Sequence, residues 1–319
     1  MFLINIPIIA VALAAGYVLI PKSRDDQQTP LDPLGAVLSI VALSALVYAI
    51  IEGPHHGWLS ATSGLWFGVG LAALLAFVLW EQRVTHPMLD LELFRIRRFS
   101  VAAGGITLVF FAMFGVFFMV APYLQGVLGY SPFEAALRML PMSFVMMFTA
   151  PQTPKLVARF GANVVAAAGL ALIALALVMT MQFAVDTSYA YLLATFCLLA
   201  LGMALTMTPM TTQLMASVPR NRAGMGSATN DTTRELGGAL GVAVLGSLLA
   251  SQYKNSLEPA VDAITDPIVR GEVLGSVGGA LSAFHKGDID ATVVGAAMKA
   301  FTDGFTFAAY HVEPRAKRR

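Results

Sequence analysis

Apolar runs of about 20 residues recur along the chain, each long enough at 1.5 Å per helical residue to cross the roughly 30 Å hydrocarbon core of a bilayer. Inside lipid only helices and closed barrels satisfy their own backbone polar groups. The runs are continuous and lack the two-residue alternation of a barrel strand, so the expected fold class is all-α, a polytopic helical membrane protein. Charge content agrees. Only 12% of residues are charged and mean hydropathy is +0.72, against about 25% charged in a soluble domain. A net charge of +1 gives no reason to expect a nucleic-acid partner.

Eight spans are expected, over residues 2–20, 33–51, 64–80, 101–124, 132–151, 163–183, 189–215 and 228–251. Residues 252–299 read as a loop, rich in Gly and Ala and too polar to span. An apolar start at 300–309 is about half the length a bilayer requires, and a basic tail closes the sequence. Lysine and arginine set the orientation. The loops after spans one, three, five and seven hold two, four, two and two of them, ten in all, and the loops after spans two, four and six hold none. The basic loops are therefore expected in the cytoplasm, Met1 outside, and 252–299 outside the cytoplasm. A first span of that orientation, with no basic anchor before it, reads as an internal helix of a longer chain. The short last helix reads as a truncated one.

Several stretches carry a family resemblance. Phe2-Leu-Ile-Asn-Ile-Pro7, Leu31-Asp-Pro-Leu-Gly35, Glu52-Gly-Pro-His-His-Gly-Trp58 and Pro87-Met-Leu-Asp-Leu-Glu-Leu-Phe94 come first. Tyr130-Ser-Pro132, Arg138-Met-Leu-Pro141, Gly226-Ser-Ala-Thr-Asn230 and Arg234-Glu-Leu-Gly-Gly-Ala-Leu-Gly241 follow in order. Together they resemble the fourteen-spanning drug:proton antiporters of the major facilitator superfamily. Thr153-Pro-Lys-Leu-Val-Ala-Arg-Phe-Gly161 is similar to the weaker, C-terminal copy of that family's loop motif. The resemblance implies a partial major-facilitator fold. Residues 1–20 would be the last helix of the N-terminal bundle, 21–98 two linker helices with their connectors, and 99–251 the C-terminal bundle. Residues 252–299 would be an extracytoplasmic loop and 300–319 a truncated last helix with its tail. It also implies proton-driven export of drugs or other amphipathic small molecules from the cell membrane. The partners implied are the lipid bilayer, a drug-like substrate, protons and the missing N-terminal bundle. The alternative is a non-transporting fragment or a helix-association partner.

Candidate site residues cluster at the start of the eighth span. Asp231 to Arg234 is an i,i+3 spacing, and Asp231 to Glu235 and Asn230 to Arg234 are i,i+4, so the three charges can share a helix face. Charges at membrane depth cost roughly 2.5–3.5 kcal/mol and usually face a cavity or a partner. In one reading Asp231 or Glu235 binds a proton or a cation, tuned by Arg234. In the other the group sits at the interface, where arginine snorkels and aspartate caps a helix. Gly237, Gly238 and Gly241 form a close-packing surface, open to a hinge or sliding role. Arg138 follows Glu134 by one turn, which reads either as an i,i+4 ion pair or as an outer gate. Pro209, among Met203, Met207 and Met210, kinks the seventh span, and these methionines read as core packing or a pliable pocket. A phenylalanine stripe from Phe110 to Phe118 reads as packing or lipid contact. Glu81, at the end of the third span, reads as solvated. Cys197 stands alone, the five histidines share no ligand spacing, and no phosphate-loop, dinucleotide or zinc-protease pattern occurs. No metal, no cofactor and no enzyme chemistry are expected.

Overall fold

Twelve helices and their connectors are described by a computed structural model for residues 5–19, 32–219 and 223–312. Lys22, Arg24, Arg220, Arg222, residues 2–4 and 20 of the expected first span and the tail from 313 lie outside the described residues. Helix α1 covers Asn5–Leu19. Helices α2 (Pro33–His56) and α3 (Ala61–Glu81) form a hairpin. Asp32 caps α2 by accepting from the Gly35 amide at 2.9 Å, with Pro33 at the first helical position, where its missing N–H costs nothing. Ser60 caps α3. Pro54 lies inside α2, which runs past the end expected for its span at residue 51.

The bundle proper begins with α4 (Arg97–Pro122), extended by a π-helical turn over Tyr123–Val127. Helix α5 (Pro132–Thr149) starts on a capping box between Ser131 and Glu134. Helices α6 (Thr153–Phe160), α7 (Ala162–Thr180), α8 (Tyr189–Ala216) and α9 (Ala223–Leu257) follow. Among the described residues seven segments are long and apolar enough to cross a membrane, carried by α2 to α5 and α7 to α9. The count expected was eight. The difference is α1, whose described helix has 15 residues. The molecule is an all-α, multi-pass membrane protein.

Residues 252–299 differ most from expectation. Instead of a loop they carry the end of α9, a 3-10 turn, α10 (Pro267–Gly275), α11 (Val277–Lys286) and the start of α12 (Ala291–Val312). The last helix begins at Ala291 rather than at 300 and is 22 residues long. Apolar residues diluted among Gly and Ala explain this. Leu257, Val261, Val273, Val277, Ala280 and Ala283 are all at or below 3% exposed and join the main core. Caps complete the segment: Asp266 accepts from Ile268 N, Ser276 from Gly279 N, and Gly287 ends α11 at φ 84°. Tyr123 of α4, Phe183 before α8 and Phe305 of α12 stack with centroids 5.3–5.6 Å apart, which ties α12 into the bundle.

Helix α4 sits at the centre, against α8, α9 and α12, with Phe99, Ile106, Val109, Val116, Met119 and Tyr123 buried. The α2–α3 hairpin attaches to this bundle through α2 and α9. There the Ser247 hydroxyl donates to Ile50 O at 2.7 Å and also faces Ala243 O.

Candidate functional site: the α4–α9 seam and its polar foot

Helices α4 and α9 make the most extensive helix pair in the molecule, and glycine is the reason. A Cβ built on Gly237 would overlap the carbonyl oxygen of Thr107, and one on Gly241 would overlap that of Phe111. Gly238 lies under the Phe114 ring. From the other side, a Cβ on Gly115 would run into Leu245 and come 3.0 Å from Gly241 O. The three glycines singled out from the sequence are thus joined by Gly115 in one backbone-to-backbone contact. Gly169 of α7 and Gly202 of α8 form a second contact of this kind, each Cβ position 2.7 Å from the other's carbonyl oxygen. The sequence reading missed it, although Gly202 stands amid an apolar run.

One turn before the seam the helix turns polar, and the expected shared face divides in two. Asn230 is buried and Arg234 half-buried, while Asp231 and Glu235 are exposed. Arg234 Nη2 donates to Thr211 Oγ1 at 3.4 Å and its guanidinium lies 5.6 Å from the Phe110 ring centroid. Asn230 Oδ1 and Arg234 Nε are both buried without a hydrogen-bond partner. Among the described residues Arg234 forms no ion pair with Asp231 or Glu235. The reason is helical geometry: Asn230 and Arg234 share the inward i,i+4 row, Asp231 and Glu235 the outward one.

Arg138 is also placed differently from the ion pair considered for it. Glu134 is occupied by the capping box, its Oε2 accepting from Ser131 N at 2.9 Å and from Ser131 Oγ at 3.0 Å. Arg138 instead stacks 3.9 Å over the Tyr130 ring and 5.0 Å from that of Tyr189, whose hydroxyl donates to Arg138 O at 3.1 Å. Pro209 is buried within α8, with Met203 and Met210 packed in the core and the Met210 thioether against Gly105. Phe114 and Phe118 are exposed on one side and cover Gly238 and Gly246 on the other. A cavity of about 830 Å³ opens near the far end of the seam, lined by Phe118, Val242, Leu249, Tyr253, Leu281 and Phe301 among others. Its size lies within the range of small-molecule pockets.

The sequence profile described as Major Facilitator Superfamily matches residues 1–242, three quarters of the chain. The chain belongs to this superfamily. It is 38% identical over 270 residues to the multidrug resistance protein Stp of Mycobacterium tuberculosis, a match covering 84% of this chain and 50% of that protein. It is 33% identical over 279 residues to the multidrug efflux pump LfrA of Mycolicibacterium smegmatis, covering 88% and 55%. Identity to the tetracenomycin C resistance and export protein of Streptomyces glaucescens is 32% over 252 residues, covering 79% and 47%. The chain spans about half the length of these relatives. Within this superfamily member the profile ends at residue 242, so it takes in the glycine seam and its polar foot but leaves out α10 to α12.

One polar group was misread altogether. Glu81 was expected in solvent, but it is 4% exposed and ends α3 against Asp32 and Trp80. The signal was present: an aspartate before a proline opens one span of the hairpin and a Trp-Glu pair closes the other, which places all three at the same end.

Proposed function

We propose that this chain forms one half of a proton-coupled exporter of drug-like, amphipathic small molecules in the cell membrane, working against a second helical bundle. The observation that carries the reading is the foot of α9. There two exposed carboxylates, Asp231 and Glu235, flank a half-buried Arg234 whose Nε has no partner. Neither carboxylate pairs with Arg234 in this structure; a swing of Asp231 or Glu235 toward the unpartnered guanidinium on ionisation, and away from it on protonation, would let proton binding change what Arg234 pairs with. The glycine seam directly above brings the α4 and α9 backbones together with few side chains between them. That suits two halves rocking about a site near the bilayer midplane. The names of the relatives, multidrug resistance and efflux, support a drug-like substrate.

The test is efflux of a fluorescent amphipathic cation from cells carrying the gene in its native context, with and without the proton gradient. Asp231→Asn should abolish gradient-dependent efflux at unchanged protein level. Full efflux in Asp231→Asn and in Glu235→Gln alike would remove the coupling assignment. A wild-type chain that alters no efflux would overturn the exporter reading in favour of a helix-association partner.

A further inference from the structure

The α2–α3 hairpin holds two carboxyl groups beside the same glycine, Gly35, and among the described residues neither forms an ion pair. Asp32 Oδ1 accepts from the Gly35 amide at 2.9 Å and from Trp80 Nε1 at 2.9 Å, and Oδ2 lies 3.1 Å from the same indole nitrogen. Glu81 is 4% exposed. Its Oε2 accepts from the Leu89 amide at 3.2 Å, while its Oε1 is buried with no hydrogen-bond partner. Both groups border the same glycine: a Cβ built on Gly35 would lie 2.9 Å from Glu81 Oε1 and would overlap Asp32 Oδ2.

Buried polar atoms are almost always partnered, and two carboxylates brought together commonly share a proton between them. A hydrogen on Glu81 Oε1 turns the unpartnered acceptor into a donor, with Asp32 as the acceptor beside it. The reverse placement fits less well, because Asp32 already receives two N–H donors that an ionised carboxylate accepts best. We propose that Asp32 and Glu81 form a proton-binding pair in the linker hairpin, one proton residing on Glu81 Oε1 and donated to Asp32.

Among the described residues no neighbouring cation pairs with either carboxyl group. Glu81 shares a cavity of about 490 Å³ with Asp90, Glu92 and Arg95, and Arg83 and His86 lie in the connector after α3. Helix α9, packed on α2, carries Asp231, Arg234 and Glu235. Among the described residues Arg83, His86, Arg95 and Arg234 form no ion pair with Asp32 or Glu81. The proposal is independent of the exporter reading, since it concerns a bound proton and not transport.

The experiment uses the full chain in lipid vesicles and a hydrophobic carbodiimide, which modifies protonated carboxyl groups, with the modified residue mapped by mass spectrometry across pH. Glu81 should be modified at neutral pH and progressively less as pH rises. Asp32→Asn removes the neighbouring charge and should lower modification at neutral pH several-fold. A labelling profile that Asp32→Asn leaves unchanged overturns the proposal. Infrared difference spectra of wild type minus Glu81→Gln at neutral pH provide a reading that needs no reagent access. A carboxylic-acid carbonyl band supports the proton, and carboxylate bands alone overturn it.

Discussion

Helices α4 and α9 touch through their backbones, whereas α2 and α3 touch mostly through side chains and are clamped at one end. In the first pair Gly237, Gly241 and Gly115 leave no room for a Cβ, and half of the apolar window of α4 is buried. In the second only 17% of the α3 window is buried. The hairpin is held by Gly70 against Leu46, by Tyr48 edge-on to Trp66 with centroids 4.9 Å apart, and by the Trp80–Asp32 bond. In lipid, apolar side chains gain nothing by leaving one another's company for acyl tails, so close packing and hydrogen bonds decide which helices stay together. The two pairs use one each of these devices.

That contrast can be broken by one type of substitution made in both places. Gly241→Val should destabilise the bundle by about 3 kcal/mol, the upper end of the overpacking range, because α9 must retreat from the Phe111 carbonyl. Gly68→Ala in α3 faces open space and should be neutral or stabilising by up to about 1 kcal/mol, through helix propensity alone. Denaturant unfolding in micelles reads both, and equal effects would end the distinction. Next in size, Trp80→Phe keeps the ring and removes the donor to Asp32. It should cost about 1.5 kcal/mol, the low end for a hydrogen bond to a charged group, and should show as faster proteolysis of the hairpin before any loss of the bundle.

The smallest effect lies outside both pairs and calibrates them. Lys286 Nζ reaches both oxygens of Glu272 at 3.0 and 3.1 Å between α10 and α11. That hydrogen-bonded ammonium holds the Glu272 carboxyl below its ordinary range. A depressed carboxyl contributes stability that is present above about pH 4.3, the unfolded value, and is lost as pH falls through the folded one. A chemical-shift titration of Glu272 should show the depression, and Lys286→Met should return it to the ordinary value.

Much of this was legible in the sequence. Seven of the eight expected spans, from 33–51 to 228–251, fall on helices long and apolar enough to cross a membrane, because runs of that hydropathy leave the backbone no other solution in lipid. Glycine spacing at 237, 238 and 241 identified the seam because small residues on one row are themselves the contact. What failed depended on a partner brought from elsewhere in the chain or, at Glu134, on a local cap. Residues 252–299 looked like a loop because Gly and Ala score as weakly apolar, yet Val273 and Ala280 need only a small socket to be buried. Glu134 looked like an ion partner for Arg138, but a backbone amide three residues earlier claims it, and the Ser131-to-Glu134 spacing could have indicated that. Glu81 looked solvated because its environment is made by Asp32 and Leu89, and hydropathy along one helix cannot register a neighbour from another.

Ser247 gives the attachment of the hairpin a particular character. Its hydroxyl carries one hydrogen and confronts two carbonyls, Ile50 O on α2 and Ala243 O on its own helix. Detaching α2 therefore strands no donor, since the hydrogen swings back to the home helix and only an acceptor is exposed. The hairpin is fastened by a reversible catch, and opening it leaves α9 as complete as closing it does.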